Sequence, residues 1–268
     1  MLNIATWNIN SVRLRLPIIR RFLAEVAPDI LCLQEIKCTT DQFPRAELRK
    51  AGYPHIIVNG QKGYHGVAIV SRHPFARDWC TGFCDVGDAR HIAAEMGPAG
   101  DGFILHNFYI PAGGDTPDPA TNPKFAHKLD FLSEFRDFLI EEGRKGPVMV
   151  VGDFNVAPYE NDVWSHRQLL KVVSHTPVET EALEAARRAA GFHDVMRQFV
   201  PMREKLYTWW SYRARDWRKS DRGRRLDHVW VNDALRPRVS RLHVLSEARG
   251  WHKPSDHVPV IATLDAEG

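Results

Sequence analysis

The chain has 268 residues, of which 44% are hydrophobic and 26% are charged, and its formal net charge is +3. This composition excludes a disordered chain, because there are enough apolar side chains to bury a sizeable core. No apolar run approaches the roughly 20 residues of a membrane span and no signal peptide precedes the first strand, so we expect a cytoplasmic protein without a membrane partner.

The first predicted elements form a strand, helix, strand unit. Residues 3–8 have strand character and end at Asn8, apolar residues at helical spacing from Leu16 predict a helix that Pro28 ends, and residues 29–35 predict a second strand that ends at Glu35. If the two strands are neighbours, Asn8 and Glu35 meet at one edge of a sheet. No linker rich in Pro, Gly or Ser follows, and we expect one domain over residues 1–268.

The middle of the chain has the period of two that is typical of β-strands. Strands are predicted at residues 55–58, 67–71, 91–96 and 103–110, and the last of them carries Tyr109 at its end. The glycine-rich segment 60–66 has the spacing of neither a dinucleotide loop nor a P-loop, so it is interpreted as a hairpin loop. Residues 112–123 are rich in Gly, Pro and Asp and predict a surface loop.

Two helices are clearly marked in the following part. A stripe of Phe and Leu predicts a helix over Pro123–Glu142 with Gly143 as its C-cap. Thr176 and Glu179 form a capping box that begins a second helix, and Gly191 ends it. Both helices are interpreted as structural.

Residues 148–151 lie between these helices and predict a buried strand, which Gly152 ends. Asp153 and Asn155 follow two residues apart, so they should project the same way while Phe154 turns into the core. A carboxylate beside a carboxamide can hold a water, a metal ion or a phosphate oxygen. The same pattern also fits a strand followed by an ordinary Asx turn.

The carboxyl-terminal third combines a basic segment with two further predicted strands, at residues 225–231 and 260–264. Between Tyr212 and Arg225 seven arginines and lysines stand against two aspartates, a local charge of +5, so the rest of the chain carries −2. Such a cluster is typical of a polyanion-binding surface. Tryptophans interleave with it, and they fit a core as well as a surface on which sugars or bases stack. The four cysteines lack zinc-type spacing and are expected to be reduced thiols.

Polar residues recur at the ends of the predicted strands more often than chance explains. They are Asn8, Glu35, Tyr109, Asp153, Asn155, Asp227, Asp256 and His257. Mg²⁺ prefers one or two carboxylates, with water and substrate phosphate completing its octahedral shell. Because thiolates and histidine clusters suited to zinc are missing, the set favours a hard divalent cation.

Five sequence blocks make the chain recognisable. They are Trp7-Asn8-Ile9-Asn10, Leu33-Gln34-Glu35, Gly152-Asp153-Phe154-Asn155, Leu226-Asp227 and Ser255-Asp256-His257. In this order they resemble the signature blocks of the endonuclease/exonuclease/phosphatase superfamily. Within it the whole chain resembles the exonuclease III family of abasic-site DNA repair nucleases. Gln61-Lys62-Gly63, Tyr109-Ile110-Pro111, Lys253-Pro254 before the last block, and the segment from Trp209 to Arg213 support this narrower match.

The resemblance implies an α/β fold, α+β in some schemes, like that of deoxyribonuclease I. This is a four-layer sandwich in which two facing β-sheets are flanked by helices and the site lies at the strand ends on one edge. It also implies Mg²⁺-dependent hydrolysis, with Mn²⁺ as a substitute, of the DNA phosphodiester 5′ to an abasic site. The further implied properties are 3′–5′ exodeoxyribonuclease activity and trimming of blocked 3′ ends on double-stranded DNA, by a monomer.

Residue roles follow by placing the chemistry on the matching positions. The expected catalytic residues are Tyr109, Asp153, Asn155, Asp227 and His257. The expected metal site draws on Asn8, Glu35, Asp153, Asn155, Asp256 and His257. The expected DNA-binding residues are Lys62, Trp209, Tyr212, Arg213, Arg215, Trp217 and Arg224. Asp153 would orient or deprotonate the attacking water, Asn155 would donate a hydrogen bond to that water or to a phosphate oxygen, and Asp227 would hold His257 protonated.

Two positions depart from the family pattern. Ala112 stands where some relatives have glutamine, and Ser211 stands where many have aspartate, so the balance between abasic-site incision and exonuclease action stays open. The alternatives are a superfamily phosphoesterase acting on inositol phosphate, sphingomyelin or RNA, and a non-catalytic DNA-binding relative. The aromatic and basic segment argues against the first alternative, and the retained carboxylates argue against the second.

Overall fold

The computed structural model describes residues 1–97 and 102–265. The strands in these residues are β1 (Leu2–Asn8), β2 (Ile30–Gln34), β3 (His55–Asn59), β4 (Val67–Ser71), β5 (Phe75–Trp79), β6 (His91–Met96), β7 (Phe103–Tyr109), β8 (Val148–Asp153), β9 (Phe192–Asp194), β10 (Trp209–Trp210), β11 (Gly223–Arg224), β12 (Asp227–Asn232), β13 (Val239–Val244) and β14 (Val260–Leu264). The helices are α1 (Leu16–Glu25), α2 (Arg45–Lys50), α3 (Pro123–Glu142), α4 (His166–Leu169), α5 (Pro177–Ala189), α6 (Val195–Phe199) and α7 (Trp217–Ser220).

Twelve of these strands form two six-stranded sheets. The order is β13-β14-β1-β2-β4-β3 in the first sheet and β5-β6-β7-β8-β12-β9 in the second. Each sheet has one parallel pair at its centre, β1 beside β2 and β7 beside β8, and its other neighbours are antiparallel. The carboxyl ends of four strands therefore lie at the centre of one edge, which is where the site forms. The short strands β10 and β11 pair separately.

The two sheets face each other across a core and carry helices on their outer faces. Buried residues such as Ile4 of the first sheet and Met149 of the second pack in the central core. On the outside of the first sheet Trp7 packs with Phe22 of α1, and on the outside of the second sheet Phe135 of α3 packs in a shared apolar cluster. The predicted four-layer sandwich is confirmed. In the described part of the chain, no helix is long and apolar enough to cross a membrane.

Both well-marked helices are confirmed. The first spans Pro123–Glu142 as predicted, and the capping box of Thr176 and Glu179 begins the second. Gly143 is the C-cap of α3, but its φ is −58°, so the position does not need a left-handed residue. Space explains the glycine instead, because a Cβ atom there would lie 2.6 Å from the carbonyl oxygen of Ala190.

Some strands that lie near or at the sheet edges were not predicted from the sequence. Strands β5 and β13 carry exposed or half-buried residues over most of their length, and β9 has only three residues. Their patterns lack the continuous burial of β2 or β4. The strand predicted at residues 225–231 begins only at Asp227, because Arg225 bonds through its backbone N–H to the carbonyl oxygen of Asp162.

Gly152 fixes the approach of β8 to β7 just before the site. Its φ is +141°, a conformation that other residues rarely adopt. A Cβ atom at this position would overlap the backbone carbonyl oxygen of Phe108, the partner of Gly152 in the neighbouring strand. The glycine therefore allows the two strands to stay paired up to the residue that carries the Asp153 carboxylate.

Candidate active site

The eight polar residues predicted at strand ends come together at one edge of the sandwich. Asn8 ends β1, Glu35 follows β2, Tyr109 ends β7 and Asp153 ends β8. Asp227 begins the antiparallel strand β12 and pairs in register with Asp153. The remaining three, Asn155, Asp256 and His257, lie in the segments that follow β8 and precede β14.

Asn8 joins the two sheets at this edge. Its buried Nδ2 donates to Glu35 Oε1 at 2.9 Å and to Asp153 Oδ2 at 2.8 Å. Its Oδ1 accepts the backbone N–H of Asn10 at 3.0 Å, which fixes the orientation of the amide. Because its amide nitrogen donates to both carboxylates, Asn8 fixes the separation between Glu35 and Asp153.

Asp153 and Asn155 project together, and Phe154 is fully buried, as predicted. The Asx turn is also present, because Asp153 Oδ1 accepts the backbone N–H of Asn155 at 2.9 Å. Asn155, with φ of +53°, donates its Nδ2 to Ile110 O at 2.9 Å and to Asp153 Oδ2 at 3.2 Å. Both amide hydrogens are thus used, so the atom free to contact water is the acceptor Oδ1. The expected donation from Asn155 to water or phosphate is therefore wrong for this geometry.

His257 lies between two aspartates, and its predicted pairing with Asp227 is confirmed. Its Nδ1 is 2.8 Å from Asp227 Oδ2 and its Nε2 is 3.7 Å from Asp153 Oδ2. Burial opposes the charged imidazole, but the charges of Asp227 and Asp153 outweigh burial and raise the pKa of His257 to about 10. An imidazolium has two N–H donors and no lone pair, so this residue suits hydrogen bonding better than metal ligation.

The Asp153 carboxylate is fully buried beside these charges. Burial raises the pKa of this carboxyl group, and the positive charge of His257 opposes that shift. A carboxylate with a raised pKa is a stronger base than an exposed aspartate, which suits proton acceptance from water.

Glu35 is held by three donors, Asn8, Tyr109 and Lys37. Tyr109 donates its hydroxyl to Oε1 at 2.9 Å, and Lys37 Nζ lies 2.8 Å from Oε2. Burial would raise the pKa of Glu35, but the ammonium of Lys37 outweighs it and the pKa lies below its usual value. Burial and the charge of Glu35 raise the pKa of Tyr109 well above its usual value, so its hydroxyl stays a donor.

Asp256 lies at the opening of the site and receives two hydrogen bonds. Asn10 Nδ2 donates to Oδ1 at 3.1 Å and Trp209 Nε1 donates to Oδ2 at 3.0 Å. Burial would raise the pKa of Asp256, but the charge of His257 and these bonds lower it. Asn10 also accepts a bond from Lys37 Nζ at 2.6 Å, so it links Asp256 to the Glu35 side of the site.

The donor set fits a hard divalent cation. Carboxylate oxygens of Asp153 and Asp227 lie within 4.8 Å of each other, and Asp227 Oδ1 is buried without a hydrogen-bond partner. With Glu35 and Asp256, four carboxyl groups meet at this edge, and they outnumber the cations that pair with them, Lys37 and His257. A divalent ion would offset that excess, and oxygen donors are the ligands that Mg²⁺ and Mn²⁺ prefer.

A cavity of about 600 Å³ opens beside these carboxylates. Of the seven residues expected to bind DNA, it is lined by Trp209, Arg213 and Arg224. Tyr212 is exposed nearby, and its hydroxyl donates to Pro254 O at 2.9 Å. Trp217 packs its ring 5.1 Å from that of Trp210, next to the outer core.

The remaining expected contacts, Lys62 and Arg215, are exposed but do not line the cavity. Arg225 does not belong to the exposed basic surface. It is fully buried and bonds to Asp162 at 2.8 Å and to Asp194 at 2.7 Å. Its charge is therefore neutralised inside the protein, and the basic segment offers less positive surface than its sequence indicates.

Three residues of the site were not given a role by the sequence analysis. Asn10 donates to Asp256 and Lys37 pairs with Glu35. Lys128 of α3 donates to the carbonyl oxygen of Asn155 at 2.8 Å. Asn10 lies in a recognised block, and Lys37 follows Glu35 by two residues, which are weak signals. Lys128 lies in the middle of α3, and no local pattern marks it.

The chain is similar to known proteins over nearly its whole length. The model of the Endonuclease/Exonuclease/phosphatase family matches residues 5–257. Exodeoxyribonuclease III of Haemophilus influenzae is 29% identical over 269 residues, which cover 96% of this chain and 97% of the relative. Two solved structures, the 3′ phosphatase NExo from Neisseria bound to a product DNA hairpin and an AP endonuclease from Archaeoglobus fulgidus, each align with a TM-score of 0.90 and 33% identity over 99% of this chain and 100% of theirs.

Proposed function

The chain belongs to the Endonuclease/Exonuclease/phosphatase family, and from this premise we propose that it is a Mg²⁺-dependent DNA repair nuclease. It incises the phosphodiester 5′ to an abasic site and trims nucleotides or blocking groups from 3′ ends, with Mn²⁺ as a substitute ion. One observation carries the proposal. Four carboxyl groups and His257 converge at one edge of the sandwich, where Glu35, Asp256 and His257 line a cavity together with aromatic and basic side chains.

The protein's own residues divide the chemical work. Asp153 accepts a proton from the attacking water, and the free Oδ1 of Asn155 accepts its second hydrogen, so the water is oriented before attack. The Nε2–H of His257 faces the same region and donates to a non-bridging phosphate oxygen. Glu35 and Asp256 would hold a divalent ion, which would supply neutralisation of phosphate charge and stabilisation of the leaving oxygen. Tyr109 keeps Glu35 in place.

DNA is supported as the substrate by the surface around the cavity. Arg213, Arg222 and Arg224 line the cavity together with Trp164 and Trp209. Basic side chains contact phosphates, while indole faces pack on an exposed sugar or base. A product DNA hairpin is bound in the structure of the Neisseria relative, which is 33% identical to this chain. Double-stranded DNA with abasic sites or blocked 3′ ends is therefore the proposed partner.

We also propose that the protein works as a cytoplasmic monomer with a single domain. The four cysteines are free thiols, which is typical of reducing compartments. Residues of both sheets share the central core, as expected for one folding unit. Sedimentation equilibrium would test the oligomeric state, and a mass of two chains would contradict it.

The test of the function uses a duplex that carries one tetrahydrofuran abasic mimic. With Mg²⁺ we expect a single cut on the 5′ side that leaves a 3′-hydroxyl, and with a chelator we expect none. The matched intact duplex and a set of inositol phosphates serve as competing substrates. The Glu35→Gln variant should lose activity by orders of magnitude and regain part of it with excess or different divalent ion. Cleavage that is equal in chelator, or confined to inositol phosphates, contradicts the proposal.

A further inference from the structure

Arg224 is a half-buried cation without a carboxylate partner in an ion pair. Its Nη1 donates to Val173 O at 3.1 Å and to Ser174 Oγ at 2.8 Å, and its Nε is buried without an acceptor. Among the residues that the structure describes, no carboxylate lies within ion-pair distance of this guanidinium. The adjacent Arg225 shows the contrast, because two aspartates neutralise it.

Backbone pairing holds this guanidinium beside the reacting centre. Arg224 of β11 pairs in register with Trp209 of β10, and its guanidinium carbon lies 5.3 Å from the centre of the indole ring. The same indole donates to Asp256, and the backbone of Trp209 bridges to His257. Arg224, Asp256 and His257 all line one cavity. A phosphate that accepts a bond from His257 therefore has Arg224 on the cavity side.

The interaction of Arg224 with the substrate depends on whether the phosphate oxygen beside it is esterified or free. In an internal phosphodiester the oxygen on the cavity side is esterified to the next sugar, which is uncharged at an abasic site. In a terminal 3′-phosphate the same oxygen is free and charged. A guanidinium forms stronger, charge-assisted hydrogen bonds with such an oxygen than with a neutral sugar, and a half-buried cation without an ion-pair partner favours an anion. An apolar side chain would suit the neutral sugar better.

We propose that Arg224 determines specificity in this site by favouring a 3′-phosphate terminus over an internal abasic site. The inference rests on the proposed function. In both reactions water adds to phosphorus, the bond from phosphorus to the 3′ oxygen breaks, and the 3′ oxygen leaves as a hydroxyl after taking a proton. The products differ only in the other fragment, which is inorganic phosphate in one case and a 5′-phosphorylated strand in the other.

The experiment compares two duplexes of the same sequence with wild type and Arg224→Met. One duplex carries a 3′-phosphate at a one-nucleotide gap, and the other carries a tetrahydrofuran mimic at that position. We expect the ratio of kcat/KM for 3′-phosphate over tetrahydrofuran to fall by at least about tenfold in the variant, the lower range for a charge-assisted hydrogen bond. Arg224→Lys should give an intermediate ratio. An unchanged ratio in Arg224→Met overturns the proposal.

Arg213→Met is the matched control, because Arg213 also lines the cavity but is exposed. It should lower kcat/KM for both duplexes by the same factor, as a general DNA contact does. If thermal denaturation shows that Arg224→Met is unfolded, Arg224→Gln replaces it, since glutamine can still donate to Val173 O without the charge. The ratio then decides in the same way.

A binding arm separates failure of this inference from failure of the proposed function. Fluorescence anisotropy in chelator measures the affinity of wild type and the Arg224 variant for hairpins that end in 3′-phosphate or 3′-hydroxyl. We expect wild type to bind the 3′-phosphate hairpin more tightly, and the variant to lose that difference. If wild type cuts neither duplex with Mg²⁺ yet binds in this way, the nuclease proposal fails and the role of Arg224 stands. Equal affinity of wild type for both hairpins overturns the role of Arg224.

Discussion

Asp153 is held by three hydrogen bonds whose donors all come from asparagines. Asn8 Nδ2, Asn155 Nδ2 and the backbone N–H of Asn155 use both of its carboxylate oxygens as acceptors. An amide at this position has one acceptor oxygen and one donor group, so Asp153→Asn would place an N–H group against at least one of these donors. It would also remove the group that accepts the proton of water.

We expect Asp153→Asn to lower the catalytic rate at least about 100-fold, the lower range for a general base, with little loss of DNA affinity. Single-turnover cleavage and anisotropy titrations measure the two quantities separately. The matched control is Asp137→Asn, whose side chain is 66% exposed on α3 and should leave both unchanged. A loss of affinity with an unchanged single-turnover rate would show that the carboxylate binds DNA rather than acting on water.

The residues of the site could be predicted because polar side chains at strand ends break an apolar pattern. Asn8, Glu35, Asp153 and Asp227 each follow or begin a buried strand, and the structure brings all four together. Hydrogen-bond direction could not be predicted, because it depends on neighbours far along the chain. Asn155 illustrates this, since Ile110 O, a contact 45 residues away, takes an amide hydrogen that was expected to face water or phosphate.

At the scale of elements, α3 and the start of α5 are joined by a fully buried ion pair below the site. Lys128 Nζ lies 2.5 Å from Glu179 Oε1 and donates to Asn155 O at 2.8 Å. Glu179 in turn accepts the backbone N–H of Ser174, whose hydroxyl contacts Arg224. The pair therefore supports both the left-handed turn at Asn155 and one wall of the cavity.

Lys128→Met should lower the free energy of unfolding by about 3–5 kcal/mol, because it leaves the Glu179 carboxylate buried without a cation. Lys128→Met combined with Glu179→Gln should recover a large part of this loss, since the uncompensated charge is then absent. Urea denaturation measures both. The catalytic rate of the double variant should still fall, because Asn155 O has lost its donor.

The control is Lys50→Met, because Lys50 pairs with Glu47 on the surface with its side chain 75% exposed. This change should stay within about 0.5 kcal/mol of wild type. A double variant that is no more stable than Lys128→Met would contradict the ion-pair argument. The capping role of Glu179 could be predicted from Thr176 three residues earlier, whereas its pairing with Lys128, 51 residues away, leaves no local trace in the sequence.

At the scale of the whole molecule, several histidines are fully buried. His228 is fully buried, stacks on Phe154 at a ring distance of 4.9 Å and lies 2.8 Å from Val156 O through its Nε2. Burial lowers its pKa well below the usual value. The pKa of His91 is also lowered well below that value by burial, so neither imidazole accepts a proton readily in the folded state.

Because its folded pKa is depressed, His228 binds more protons in the unfolded chain than in the folded one below about pH 6.5. Its contribution to stability is therefore complete above that pH and is lost as the pH falls. We expect His228→Gln, which can keep the bond to Val156 O, to lose stability less steeply between about pH 6.5 and 5, by up to about 1.4 kcal/mol per pH unit. Urea denaturation across this range measures the slope. The exposed control His252→Gln should keep the wild-type slope, and a wild-type slope in His228→Gln would contradict the assignment.

The architecture could be predicted where burial is continuous and missed where it is not. The central strands of both sheets carry runs of buried aliphatic residues, and β2 and β4 matched their predicted positions closely. Strand β13 shows fewer apolar residues because it lies at an edge of its sheet, so only one neighbour covers it. The pairing of an edge strand depends on a partner strand that can lie far away in the sequence. The hydrophobic pattern of the edge strand itself therefore does not predict it.

The proposed DNA-binding face is a property of the whole molecule, because it combines segments from both ends of the chain. Arg213 and Arg215 are both exposed in the segment that follows β10, next to the cavity. Each cation that neutralises a phosphate contributes about 0.9 to the slope of log affinity against log salt. Replacing both with alanine should therefore flatten that slope by about two and weaken binding to abasic and intact duplexes alike.

The matched control is Arg144→Ala with Lys145→Ala, since these exposed residues precede β8 and lie at the opposite end of the strand from Asp153. Their replacement removes the same two charges from the molecule, so any effect of net charge alone appears in the control. Anisotropy titrations from low to moderate salt give both slopes. A flattened slope in the first pair only places the phosphates over the cavity edge of the sandwich. Equal slopes in both pairs would mean that net charge, rather than contact, governs how this molecule holds DNA.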